Sequence, residues 1–164
     1  MSKREKVQKT NAMRELDRAG ISYEVREFEE TDVSRGVGMR IAEQLGEDPD
    51  SSLKTLVCVA PSGDHVVCCI PVACEVDLKK AAAAAGEKSL SLMPIKDLEA
   101  VTGYVRGGCT PIGMKKPFPT VFHETVVLFE SICVSAGKIG AQVEVAPADL
   151  IALLGAQTAD VTAE

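Results

Sequence analysis

The chain has 164 residues, a net charge of −6 and an apolar fraction of 46%, enough for one domain that buries its own core without disulfide or metal staples. The acidic balance excludes a general duplex binder, whose affinity would rest on many Lys and Arg contacts to phosphate, and DNA is not expected as a partner. No apolar run reaches the length of a membrane span, and Met1-Ser2-Lys3-Arg4-Glu5-Lys6 has no apolar segment behind it of the kind a secretion signal needs, so a cytoplasmic protein with no membrane partner is expected.

The apolar residues Val7, Ala12, Met13, Leu16 and Ala19 fall near helical spacing over residues 5–19, and Gly20 is a natural stop. Residues 21–28 then place Ile21, Tyr23 and Val25 on one side of a half-buried strand, with Phe28 on the other. An acidic patch at Glu29, Glu30 and Asp32 precedes a second helix over residues 36–45, which Asp32 or Ser34 is placed to cap.

Past a polar loop, residues 54–60 and 65–71 read as two buried strands joined by Pro61-Ser62-Gly63-Asp64, an antiparallel hairpin with Lys54 at its mouth. A lysine at that point is usually no more than a solvated charge. Asp77 caps an alanine-rich helix that Gly86 ends. Residues 89–92 suggest a short strand, and Pro94 opens a helix running to Val101.

The stretch 102–116 departs most from core-making sequence, with Gly103, Gly107, Gly108, Gly113 and Pro111 among the cations Arg106, Lys115 and Lys116. Glycines let backbone approach a ligand and can turn successive N–H groups toward an anion. A rigid surface turn with solvated lysines explains the same residues, and the sequence alone leaves both readings open.

Beyond it, residues 119–122 and 126–129 are strands or packing segments, and residues 132–135 and 142–145 are paired strands around a glycine-bounded turn carrying Lys138. Pro147 starts a last helix that Gly155 ends, and the tail beyond it reads as frayed. The interleaving of hairpins and helices implies an α+β class: one domain over residues 1–164, core about 10–154, with a mixed, mostly antiparallel, barrel-like sheet flanked by helices.

Six cysteines lie mostly in apolar runs and read as reduced core residues. With no Cys-x-x-Cys pair and two distant histidines, His65 and His123, no metal is expected, and nothing calls for a cofactor.

Three segments, taken together, carry a resemblance: Lys54-Thr55-Leu56-Val57, the glycine-rich stretch 102–116, and Val134-Ser135-Ala136-Gly137-Lys138-Ile139-Gly140. Their order and spacing are similar to those of the YbaK/EbsC family of aminoacyl-tRNA deacylases, related to the editing domain of bacterial prolyl-tRNA synthetases. The resemblance implies trans-editing of a mischarged tRNA, foremost Cys-tRNA(Pro), with the tRNA 3′ end as partner and a prolyl-tRNA synthetase complex as a further one.

It also implies residue roles. Lys54 would hold the terminal adenosine or its phosphate, a task for a point charge, while Gly107 and Gly108 would set N–H groups against the developing oxyanion. Thr102, Gly103, Ser135, Lys138 and Phe28 would bind substrate, Phe28 standing where relatives carry tyrosine. Arg106, Lys115 and Lys116 would steer tRNA.

No serine, histidine and acid set occupies motif positions, which matches the family's mechanism, where the substrate's own thiol attacks its ester carbonyl. Cys109 then serves packing rather than nucleophilic attack. A non-catalytic module that holds an aminoacyl end or a nucleotide within a synthetase complex is the alternative reading.

Overall fold

A computed structural model describes residues 8–29 and 36–163 of the chain. Its elements are α1 (Asn11–Arg18), β1 (Tyr23–Glu27), α2 (Val37–Leu45), β2 (Leu53–Val59), β3 (His65–Pro71), α3 (Leu78–Ala85), β4 (Ser91–Leu92), α4 (Leu98–Thr102), β5 (Thr120–His123), β6 (Ile132–Ser135), β7 (Ala141–Val145), α5 (Pro147–Leu154) and β8 (Gln157–Ala159), with single 3-10 turns at Ile95–Asp97 and Glu124–Leu128.

The β2–β3 hairpin forms as its sequence directs. Gly63 takes φ +95°, open to glycine at little cost, and the Ala60 N–H donates to Asp64 O at 2.8 Å. Side-chain alternation then separates two cores. Val57, Val67 and Cys69 face the larger one with α1, α5, β6 and β7, whereas Cys58, Cys68 and Ile70 face a smaller one with Ala81 and Ala82 of α3. Because β3 is covered on both faces, its sequence is an almost unbroken apolar run.

The α+β class holds, but the barrel does not close. The strands form two sheets, β1-β7-β6 and β4-β2-β3-β5-β8, joined where Ser52 and Cys133 make an isolated parallel bridge. The sheets are mixed and mostly antiparallel, as expected, with β3–β5 and β5–β8 as the parallel pairs.

The expected frayed tail is also corrected. Residues 157–159 form β8 on the edge of β5, Val161 is fully buried, and the Ala163 N–H donates to Glu75 O at 2.8 Å. The apolar side chains that anchor the tail are few, Ala159 and Val161, and its backbone pairing needs a β5 edge that is distant in sequence.

Local differences have local causes. The segment 126–129 is a 3-10 turn running into coil rather than a strand, and only residues 91–92 pair as β4 because Leu90 turns into the smaller core. Helix α1 begins at Asn11, where the Thr10 hydroxyl accepts from Met13 N–H at 3.2 Å. Its expected earlier part falls partly, and the Asp32 and Ser34 caps wholly, outside the described residues. Among the described residues no helix is long and apolar enough to cross a membrane.

Candidate active site

The turn 135–140 between β6 and β7 is where the three sequence segments meet. Gly137 and Gly140 both take φ +98°, the Gly137 N–H donates to Ser135 Oγ at 3.1 Å, and the Thr10 hydroxyl donates to Ala136 O at 2.5 Å. The turn is therefore pinned from its own side chain and from the start of α1.

The stretch 102–116 closes over this turn. A Cβ on Gly108 would stand 2.9 Å from the carbonyl carbon of Lys138, so only glycine permits the approach. Gly107 takes φ +88°, and the Gly108 N–H donates to Val105 O at 2.9 Å. The expected pair of outward donors is thus reduced: Gly108 supplies close packing, and the Gly107 N–H has no acceptor among the described residues.

Tyr104 holds the stretch in shape. It is buried, its hydroxyl donates to Ile112 O at 2.6 Å, and its ring lies 3.1 Å from where a Cβ on Gly137 would be. The Thr102 hydroxyl donates to Leu98 O at 2.8 Å and accepts from Tyr104 N–H at 3.0 Å, so it caps α4 from a buried position. Gly103 ends that helix at φ +90°, beneath the stem of Lys115.

The strand junction brings β2 beside β6: Ser52 and Cys133 form a parallel bridge, the Cys133 N–H donates to Ser51 O at 2.9 Å, and Lys54 and Ser135 each lie two residues further along their strands. Ser135 pairs with Gln142, and Gln142 with Arg26, so one row crosses β6, β7 and β1 on the face turned away from the larger core. Lys54 is half-buried and has no carboxylate partner within 4.0 Å among the described residues. Phe28 closes the far end of the turn, its N–H donating to Gly140 O at 2.9 Å.

The cations expected to steer tRNA are Arg106, Lys115 and Lys116. Arg106 is exposed beside Gly107. Lys115 donates to Ala100 O at 3.1 Å, and Lys116 lines a separate 230 Å³ cavity with Pro117 and Leu154. A 540 Å³ cavity between Phe129, Pro147 and Ile151 holds none of the predicted site residues.

Burial pushes the Cys109 thiol up to about 11 despite a hydrogen bond with Thr102, which disfavours the thiolate at neutral pH. All six cysteines are free thiols. His65 stands at the far end of β3 from Ile70, the partner of Lys54, and packs edge-on to Phe118 with centroids 5.3 Å apart, while His123 Nδ1 accepts from Val161 N–H at 3.3 Å.

Sequence reasoning missed a polar network behind the row. The Glu47 side chain is only 5% exposed, and its carboxylate accepts from Ser52 Oγ at 3.1 Å and from the Gln142 amide, correctly oriented, at 2.6 and 3.0 Å. Arg26 stands 3.9 Å from Glu47 but bonds Glu144 at 2.6 Å, and Glu144 in turn accepts from Ser131. Nothing local marks Glu47, which lies in a polar loop where carboxylates are normally solvated.

Comparison with known proteins gives one consistent result. Residues 39–153 match the model of the aminoacyl-tRNA editing domain. The chain is 44% identical over 162 residues to the "Putative Cys-tRNA(Pro)/Cys-tRNA(Cys) deacylase EbsC" of Enterococcus faecalis, covering 99% of this chain and 98% of that one. Its fold is similar to the solved structure of "a putative trans-editing enzyme for prolyl tRNA synthetase", at TM-score 0.81 and 25% identity over 96% of this chain and all of that one. It is also similar to hypothetical protein APE2540, at TM-score 0.84 and 19% identity over 94% of this chain and all of that one. With the family model spanning most of the chain and a relative of near-equal length this similar, the protein belongs to the aminoacyl-tRNA editing domain family.

Proposed function

We propose that this chain is a freestanding deacylase that clears Cys-tRNA(Pro) by attack of the substrate's own thiol. What supports this is the close backbone packing of Gly108 on the turn that carries Ser135 and Lys138, with no serine, histidine and acid set beside it among the described residues. Such a site positions and does not itself attack.

In the proposed reaction Lys54 holds the terminal adenosine or its phosphate, and the Gly107 N–H faces the carbonyl oxygen as charge develops there. Ser135, Lys138 and Phe28 line the turn that receives the aminoacyl group. The cysteinyl sulfur attacks the ester carbon, a C–S bond forms, the C–O bond to the ribose breaks, and the thiol proton passes to the ribose oxygen. Free tRNA and a cyclic thioester leave. An ester is already an activated acyl group, and good orientation is worth about 7–11 kcal/mol in such intramolecular reactions.

Incubation with Cys-tRNA(Pro), Ala-tRNA(Pro), Ser-tRNA(Pro) and correctly charged Pro-tRNA(Pro) tests the reading. Rapid release from the cysteinyl ester and slow release from the seryl one is expected. Equal rates for the two would point to water as the attacking group, and no release above buffer would end the proposal.

A further inference from the structure

Among the described residues, the buried carboxylate of Glu47 belongs to no cap and no close ion pair. It bonds Ser52 at the start of β2 and Gln142 on β7, and it lies against the Cys133 thiol on β6, which burial and the charges of Glu47 and Glu144 push up to about 12. Arg26, its nearest cation among the described residues, is 3.9 Å away and committed to Glu144. Burying a carboxylate on such terms costs several kcal/mol in general, which hydrogen bonds only partly offset.

Its three partners have one thing in common. Ser52 lies two residues before Lys54 on the same face of β2, Cys133 two residues before Ser135 on β6, and Gln142 is the cross-strand partner of Ser135. Glu47 therefore ties together the strands that carry Lys54 and Ser135, at the seam where the two sheets share one bridge among the described residues.

We propose that Glu47, through its bonds to Gln142 and Ser52, is a positioning residue that sets the spacing of Lys54 from Ser135 for the deacylation reaction. The inference rests on the proposed activity. A displacement of about 1 Å is enough to cost on the order of a hundredfold in rate where catalysis depends on orientation.

An exchange of partners tests it. Glu47→Gln turns two amides toward each other and Gln142→Glu turns two carboxylates toward each other, whereas the double variant restores an amide facing a carboxylate in reverse order. Each single variant is expected to lower kcat for Cys-tRNA(Pro) at least about tenfold, with KM moving much less, and the double variant to recover most of that loss. The Gln142→Glu enzyme should also regain activity as pH falls and one carboxylate takes a proton, while the wild type does not.

Should either single variant fail to fold by circular dichroism, Ser52→Ala removes a neutral partner of the same carboxylate and should lower kcat without a matching loss of melting temperature. Singles with wild-type kcat, or a double variant no better than its singles, would overturn the proposal. A wild type inactive on every charged tRNA would instead end the deacylase reading on which it rests.

Discussion

Gly108 meets Lys138 backbone to backbone, at a separation where a methyl group would stand 2.9 Å from the Lys138 carbonyl carbon. Backbone on both sides leaves no flexible side chain to give way. Gly108→Ala is expected to push the glycine-rich stretch off the turn, to destabilise the fold by about 1–3 kcal/mol, and to lower deacylation more than stability alone explains. Urea unfolding beside single-turnover kinetics measures the two effects, and a fully active Gly108→Ala enzyme would show that this contact is not needed for catalysis.

Lys54 separates function from stability in the other direction. It is half-buried, and no ion pair within the described residues depends on it. Lys54→Ala should leave the melting temperature within a few degrees of wild type while removing most turnover. Lys54→Arg should restore only part of it, since a planar fork does not replace a compact ammonium.

Tyr104 is a test of scaffold rather than chemistry. Tyr104→Phe keeps the ring beside Gly137 but leaves the buried Ile112 carbonyl without the hydroxyl that bonds it at 2.6 Å. A loss of about 1–3 kcal/mol is expected, seen as a lower melting temperature by differential scanning calorimetry.

Acid sensitivity has an identifiable source at the outer face. The Ser131 hydroxyl first, and then Arg26, hold the Glu144 carboxyl below its ordinary value of 4.5. A depressed acid contributes stability that is present above its unfolded value and is lost as pH falls through the folded one. Unfolding free energy should therefore decline from about pH 5 downward, and the decline should be shallower in Glu144→Gln.

Cys109 should prove dispensable. Because burial holds its thiol near 11, alkylation by iodoacetamide at neutral pH should be slow, and Cys109→Ala should keep Cys-tRNA(Pro) deacylation. Loss of activity in that variant with folding intact would give the cysteine a role in the reaction.

What the sequence made legible was local. The Asp77 cap, the Gly63 hairpin and the glycine stops at Gly86 and Gly155 are each decided within a few residues, and all stand where expected. The three site segments were legible because tight turns restrict residue type: Gly108 and Gly137 have no substitutes at their contacts. Long-range facts were not legible. The parallel partners of β5 are separated from it by dozens of residues, and the Glu47–Gln142 bond joins a loop to a distant strand whose sequences contain no trace of each other. The Gly108 N–H is a case between these, since the glycine was expected but its donation to Val105 depends on turn geometry that residue type does not fix.

The strand β8 has a consequence for how the protein should be handled. The family match ends at residue 153, yet residues 157–159 cover the outer rim of β5, which is otherwise bare. Ending the chain at residue 153 would uncover four consecutive buried residues, Thr120 to His123, as an unprotected ribbon that pairs with any similar ribbon it meets. A shortened version should be recovered largely as assemblies of several chains, with the fault lying in its exposed rim and not in its catalytic turn.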